Sequence, residues 1–170
     1  MFTGAVAVDD GFEAFATAAW PGLLRYGHLL TGDRASAEDL VQTALLRTAL
    51  RWKHIRSDNP TGYVKTAMAR QQINLATRLL RRERPVEVLP DRPSNTDATG
   101  HVDERTAMWQ SLAQLPPRQR AVLVLRYYEQ LSEKEIADVL GCSQGTVKST
   151  ASKALARLRQ HYDVPGRVSG

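Results

Sequence analysis

The side chains that could make or break bonds lie apart in this chain. Its four histidines, His28, His54, His101 and His161, are widely separated. None makes the helical i, i+4 pair with a carboxylate that would hold a metal. There is no phosphate-binding glycine loop, no G-x-S-x-G and no cysteine–histidine pair with a positioned third group. Glu38 and Asp39 are adjacent, so on a helix they point about 100° apart and make no catalytic dyad. Catalysis, a metal, a cofactor and a small-molecule substrate are therefore not expected. What does cluster is the capacity to hold phosphates and meet base edges. Ser143, Gly145, Thr146, Lys148, Ser149, Ser152 and Lys153 fall within eleven residues. Lys65, Arg70, Arg78, Arg81 and Arg82 follow one another along a stretch without acids.

The distribution of charge sharpens this reading. The 170 residues carry a formal charge of +5. Residues 1–50 hold a net −3, residues 51–84 a net +7, residues 85–105 a net −3 and residues 106–170 a net +4. A charge run is commonly a solvated face. Here the interleaved acids are nearly missing from the second segment, which favours an anion-binding surface. Hydrophobic content of 42% is enough for a core. No eighteen-residue apolar stretch occurs, so no membrane span is expected. Met1 to Asp10 lacks the pattern of a secretory signal. Cys142 is the single cysteine, which fits a reducing compartment and a cytoplasmic location.

The elements that must position these residues read as helices throughout. Phe12, Phe15, Ala16, Ala19, Leu23, Leu24, Tyr26 and Leu30 recur at helical spacing, with Pro21 expected to kink or split the run and Gly32 to end it. Asp33 or Ser36 caps the next helix, whose apolar face is Leu40, Val41, Ala44, Leu45 and Thr48. Pro60 opens a third helix, running to Arg81 and Arg82. Residues 84–101, with their prolines and turn formers, read as a linker. Beyond it a helix over 102–114 turns Met108, Leu112 and Trp109 inward, and Pro116-Pro117 starts another through Tyr128. Ser132-Glu133-Lys134-Glu135 is a capping box, Gly141 a helix end and Ser143 the next cap. Residues 132–159 thus read as a helix-turn-helix, with Ala137 small at the crossing. Gly145 sits near a helix start, where it costs up to about 1 kcal/mol against alanine. Close approach of an external backbone would offset that. The fold class is all-α, with two small helical domains at 1–83 and 102–162 and a tail at 163–170.

These residues carry a resemblance. Leu115-Pro116, Arg120, Leu125-Arg126-Tyr127, Leu131-Ser132, Glu135-Ile136-Ala137, Leu140-Gly141 and Gly145-Thr146-Val147-Lys148-Ser149 resemble region 4 of bacterial group 4, or extracytoplasmic-function (ECF), RNA polymerase sigma factors. Ala37-Glu38-Asp39-Leu40-Val41-Gln42, Trp52, Asn59-Pro60-x-x-Tyr63-Val64, Asn74 and Arg81-Arg82 resemble region 2 of the same family, with the actinobacterial SigE-like subgroup the nearest in pattern. The resemblance covers about residues 11–160.

The resemblance implies a factor that gives core RNA polymerase its promoter specificity. Glu38, Asp39, Leu40 and Gln42 match residues that dock on the β′ clamp helices, while region 4 meets the β flap. A plainer role for Glu38 and Asp39 is to complement the helix dipole. Lys65, Arg70, Asn74, Arg78, Arg81 and Arg82 match the −10 region, with Trp52 and Tyr63 as stacking surfaces for unstacked bases. For Trp52 the residue type also fits the core. Family members often carry asparagine where Arg70 stands. Ser143, Gly145, Thr146, Lys148, Ser149, Ser152 and Lys153 match the −35 reader, and Arg120 and Arg126 are further phosphate candidates. An anti-sigma factor is a partner that many relatives have. Two other classes fit the residues alone: a conventional helix-turn-helix repressor or activator acting without polymerase, and a helical interaction adaptor.

Overall fold

A computed structural model describes residues 10–56, 58–82 and 104–162. All elements among the described residues are helical: α1 (Asp10–Thr31), α2 (Arg34–Ala49), α3 (Trp52–Ile55), α4 (Pro60–Arg82), α5 (Glu104–Ala113), α6 (Pro117–Leu123), α7 (Glu133–Leu140) and α8 (Gln144–Tyr162). The predicted linker and tail lie outside the described residues.

Local chemistry sets most of the boundaries. Gly32 adopts φ +86°, and its amide bonds the His28 carbonyl at 2.8 Å, which closes α1. The Asp33 carboxylate accepts from the Ser36 amide at 2.8 Å and opens α2. Asn59 opens α4 by accepting from the Gly62 amide at 2.9 Å. A Cβ on Gly62 would lie 2.6 Å from the Asn59 amide nitrogen, so the glycine makes room for its own cap.

Pro21 does not split the first helix, contrary to the sequence expectation; α1 is one helix of 22 residues with Pro21 inside it. The reason is which face the proline occupies. Pro21 and Thr17 are both exposed, so water can reach the Thr17 carbonyl that loses its partner. A second correction concerns Met108, which points outward and is 51% exposed. Of the predicted inward set on α5, Leu112 and Trp109 pack against the core. After α6 the chain widens into a π-helical turn over Val124–Tyr128, where the Glu129 amide reaches the Val124 carbonyl at 3.1 Å. This lifts Tyr127 and Tyr128 to the surface, whereas the sequence pattern ran a regular helix through Tyr128.

The core runs through both halves. In the first, Leu23, Tyr26 and Leu30 of α1 meet Val41 and Ala44 of α2 and Val64 and Met68 of α4. In the second, Val122 and Leu125 meet Ile136, Val147 and Ala154. The seam is polar at its centre. Arg120 is 2% exposed, and its guanidinium donates to the carbonyls of Leu112 (2.7 Å), Ala113 (2.6 Å), Leu115 (3.0 Å) and, ninety residues away, Leu30 (2.9 Å). These carbonyls end α5 and α1, where unpaired backbone acceptors and the negative end of the helix dipole collect. Beside this seam His28 of α1 meets Trp109 edge-on at 4.7 Å. Burial pushes the His28 pKa below its ordinary value, with Asp33 opposing the shift.

The seam should respond to mutation and to pH in defined ways. Arg120→Ala removes the guanidinium donors from the buried Leu30 and Leu115 carbonyls and should cost on the order of 3–5 kcal/mol in urea unfolding, with Arg120→Lys restoring only part of it. His28 binds a proton more weakly when folded than when unfolded, so its contribution to stability is lost as pH falls through the ordinary histidine range. The melting temperature should therefore drop between about pH 7.5 and 5.5. In His28→Gln the drop should be smaller, as thermal scans at the two pH values would record.

Candidate nucleic-acid interface

The helix-turn-helix is assembled from three short-range devices. Ser132 and Glu135 make the reciprocal capping box, with the Ser132 amide donating to the Glu135 carboxylate at 2.7 Å and the Glu135 amide to the Ser132 hydroxyl at 3.2 Å. Hydrogen bonding from the Ser132 amide, and secondarily from its side chain, holds the Glu135 carboxyl below its usual range. Gly141 ends α7 in the left-handed conformation, φ 64° and ψ 43°. Ser143 then opens α8: its hydroxyl accepts from the Thr146 amide at 3.1 Å and lies 2.9 Å from the Thr146 hydroxyl. Val147, Ala151 and Ala154 turn inward. Their spacing leaves Gly145, Lys148, Ser149, Ser152 and Lys153 together on the exposed face.

Within this face, some predicted contacts already have local partners. Ser143 and Thr146 build the cap, and the Ser149 hydroxyl donates to the Thr146 carbonyl at 3.1 Å. Gly145 has a free approach: a Cβ there would meet nothing closer than the Ser143 hydroxyl at 3.8 Å. Neither its own chain nor a positive φ requires a glycine at this position. Glu133 lies between two cations, with the Arg126 guanidinium at 3.5 Å and the Lys148 ammonium at 3.6 Å. Lys148 stays 68% exposed.

The predicted strand-binding residues of the first half divide into two groups. Arg78, Arg81 and Arg82 are exposed along the end of α4. Tyr63, Lys65, Arg70 and Asn74 instead line a cleft of about 1030 Å³ between the halves. Its opposite wall carries Glu129, Glu135 and Asp138. The Lys65 ammonium bonds both oxygens of Glu129, at 2.7 and 2.9 Å, and lies over the Tyr26 ring at 5.5 Å. Arg70 donates to the Val139 carbonyl at 2.6 Å and the Asp138 carbonyl at 3.0 Å. Tyr26, whose hydroxyl donates to the Lys65 carbonyl at 3.2 Å, has its pKa raised by burial and by the charge of Glu129.

Three predicted site residues belong to the interior. Arg120 cannot hold phosphate here, because its guanidinium is buried on backbone carbonyls. Leu40 is 4% exposed and packs in the core, while Asp39 and Gln42 are exposed. Glu38 is paired with Arg34 at 2.8 Å, a turn earlier on the same helix. Trp52 is 7% exposed and stacks on Phe15 at 5.0 Å with Phe12 edge-on at 5.3 Å. Its indole N–H finds no acceptor among the described residues.

The sequence reading missed several residues. Leu46, 69% exposed, and Leu50, 76% exposed, extend the stripe from Asp39 and Gln42 at helical spacing, a signal that was available. Glu129 had no local signal, because its partner is 64 residues away. An apolar groove of about 240 Å³ between Leu29, Met108, Leu112, Tyr127 and Leu158 depends on the π-helical turn. Among the described residues, no group of three histidine, cysteine or acidic side chains could hold a metal, and no helix is long and apolar enough to cross a membrane.

Comparison with known proteins matches both halves. The family model for sigma-70 region 2 matches residues 15–85, and that for sigma-70 region 4 matches residues 105–158. The chain is 42% identical over 154 residues to an RNA polymerase sigma-E factor of Streptomyces coelicolor, covering 88% of this chain and 84% of that one. It is 34% identical over 157 residues to the ECF RNA polymerase sigma factor SigL of Mycobacterium tuberculosis, covering 87% and 84%. Among solved structures, it is similar to the sigma factor RpoE of Bartonella quintana, crystallised with the anti-sigma factor NepR. That likeness has a TM-score of 0.62 at 22% identity, covers 93% of this chain and 100% of that one, and is one of fold.

The capping role of Ser143 has a measurable consequence. Ser143→Ala should cost about 1 kcal/mol in denaturant unfolding, through loss of the bond to the Thr146 amide. Ser143→Asp, which keeps an acceptor, should be close to neutral in the same measurement.

Proposed function

The chain belongs to the sigma-70 family as an ECF RNA polymerase sigma factor, and we propose that it divides promoter recognition between two oppositely constructed faces. It binds core RNA polymerase and directs initiation at promoters carrying −10 and −35 elements. The observation that carries the division is that region 4 presents its polar helix face to solvent, while Lys65 and Arg70 of the region 2 basic set face region 4.

On α8, Lys148 and Lys153 supply phosphate contacts, and Thr146, Ser149 and Ser152 supply hydrogen-bonding groups at base edges. Gly145 lets the DNA backbone approach the start of the helix. With small polar residues in this set, −35 binding leans on phosphate contacts more than on base reading. Arg78, Arg81 and Arg82 follow the backbone of the −10 strand. Tyr63, Lys65, Arg70 and Asn74 meet its unstacked bases and phosphates once the cleft admits them. Polymerase docks at two apolar places rimmed by polar groups, a composition suited to protein interfaces. One is the α2 stripe of Asp39, Gln42, Leu46 and Leu50, for the β′ clamp helices. The other is the groove beside Met108 and Tyr127, for the β flap. The role is recognition rather than bond chemistry, and it is exercised in the cytoplasm, where polymerase works.

Run-off transcription on genomic fragments tests the reading. Core polymerase with this chain should initiate at discrete sites that share −35 and −10 elements. Tight binding to duplex DNA by the chain alone, with no initiation, would instead identify a repressor. Lys148→Ala should weaken promoter binding and reduce the slope of log affinity against log salt by about one unit. Unchanged affinity and slope would remove Lys148 from the site.

A further inference from the structure

The cleft between the halves has walls of opposite charge. On the α4 side stand Lys65 and Arg70, with Arg47 and Arg51 of α2 and its C-terminal turn beside them. On the other side stand Glu129, Glu135 and Asp138. Two links cross the gap. Lys65 and Glu129 are held at 2.7 Å with side chains only 25% and 17% exposed, so water screens the pair poorly. Arg70 donates to the carbonyls of Asp138 and Val139 in the last turn of α7, where backbone acceptors lack helical partners and the dipole is negative. Both cations thus rest on what a phosphate would otherwise offer them: carboxylate or carbonyl oxygens in a negative field.

We propose that region 4 acts as an internal stand-in for the −10 strand: Glu129 and the C-terminal carbonyls of α7 occupy Lys65 and Arg70 and keep single-stranded DNA out of the cleft until the two halves part. The inference rests on the −10 reading of Lys65 and Arg70. Geometry adds the exclusion. A strand entering between the walls would place its phosphates against Glu129, Glu135 and Asp138, and like charges repel. Binding by the free chain is therefore reduced by the fraction of molecules that are open. Arg70 suits the latch by its length, since its planar fork meets two successive carbonyls at once.

The test uses the full chain, a labelled single-stranded −10 oligonucleotide and no polymerase, with small-angle scattering on the same samples. Glu129→Gln keeps the shape of the side chain and removes its charge. It should increase the radius of gyration and tighten strand binding by about 3- to 10-fold, as expected when a minor open population becomes substantial. Glu129→Lys should open the chain further. The double variant Lys65→Glu/Glu129→Lys re-forms an opposite pair and should return the radius to that of the parent. A gain in affinity with unchanged radius reports only the altered local charge and overturns the latch, as does a larger radius with no gain in affinity. If Glu129→Lys fails to fold by circular dichroism, the isosteric Glu129→Gln decides alone. Run-off transcription separates the two levels. A parent chain that fails to initiate with core polymerase defeats the sigma reading. A parent that initiates, beside a Glu129→Gln variant unchanged in radius and strand affinity, defeats only the latch.

Discussion

The arrangement of the two halves depends on a buried cation held on backbone carbonyls from both of them. Arg120 sits in the interior, where an isolated charge is costly. Its compensation comes from backbone carbonyls at the ends of two helices, α1 and α5, and from the Leu115 carbonyl between α5 and α6. Leu30, Leu112 and Ala113 lie in the last turns of their helices, where carbonyls lack the amide four residues on. One side chain therefore satisfies two helix ends and brings them together. Gly32 belongs to the same constraint, since a Cβ there would lie 3.2 Å from the Ala113 Cβ. A side chain there would press the end of α1 away from α5, and the left-handed φ of +86° favours glycine besides. With α1 and α5 fixed at that point, α4 can face α7 across the cleft.

That placement changes the meaning of the charge pattern. By sequence alone, the net +7 of residues 51–84 is a surface awaiting an anion. In the folded chain part of it already has one. Glu129 interacts with Lys65 and raises the pKa of Tyr26. Its own position is fixed by the π-helical turn, because the Glu129 amide closes that turn on Val124. A wide turn is a local irregularity often found at functional places. Here it does two things at once: it aims a carboxylate into the cleft and lifts Tyr127 and Tyr128 onto the opposite, apolar groove.

What could be read from the sequence was whatever is decided within one turn of chain. Ser132 with Glu135, Asp33, Asn59-Pro60, Gly141 and Ser143 all mark helix ends through partners three or four residues away, and each takes up that role. The face of α8 was equally legible, because inward Val147, Ala151 and Ala154 leave only one way for Lys148 and Ser152 to point. Long-range partners were not legible. Nothing adjacent to Arg120 shows that it will bond Leu30, so its charge looked like a phosphate contact. Pro21 was misread because periodicity gives the existence of a face but not the tolerance of water for an unpaired carbonyl on it. Leu40 carried a family role and an apolar period together, and burial shows that its side chain follows the period.

The two DNA-facing surfaces also differ in what their targets require. A −35 element is read as duplex, which exists before polymerase acts, and the α8 face is exposed in the closed chain. A −10 strand offers unstacked bases only after the duplex is opened. The residues proposed to receive it are Tyr63, Lys65, Arg70 and Asn74, and these line the cleft. A cleft held by Glu129 withholds strand-binding groups from stray single strands at little loss, because no legitimate strand is present until polymerase supplies one. The stripe of Asp39 and Gln42 on α2, proposed to dock on polymerase, is exposed in this same closed form. Polymerase can therefore engage the chain before the cleft opens. Binding energy at the two proposed docking places, on α2 and in the apolar groove, is then available to separate the walls, provided polymerase favours the separated form over the closed one.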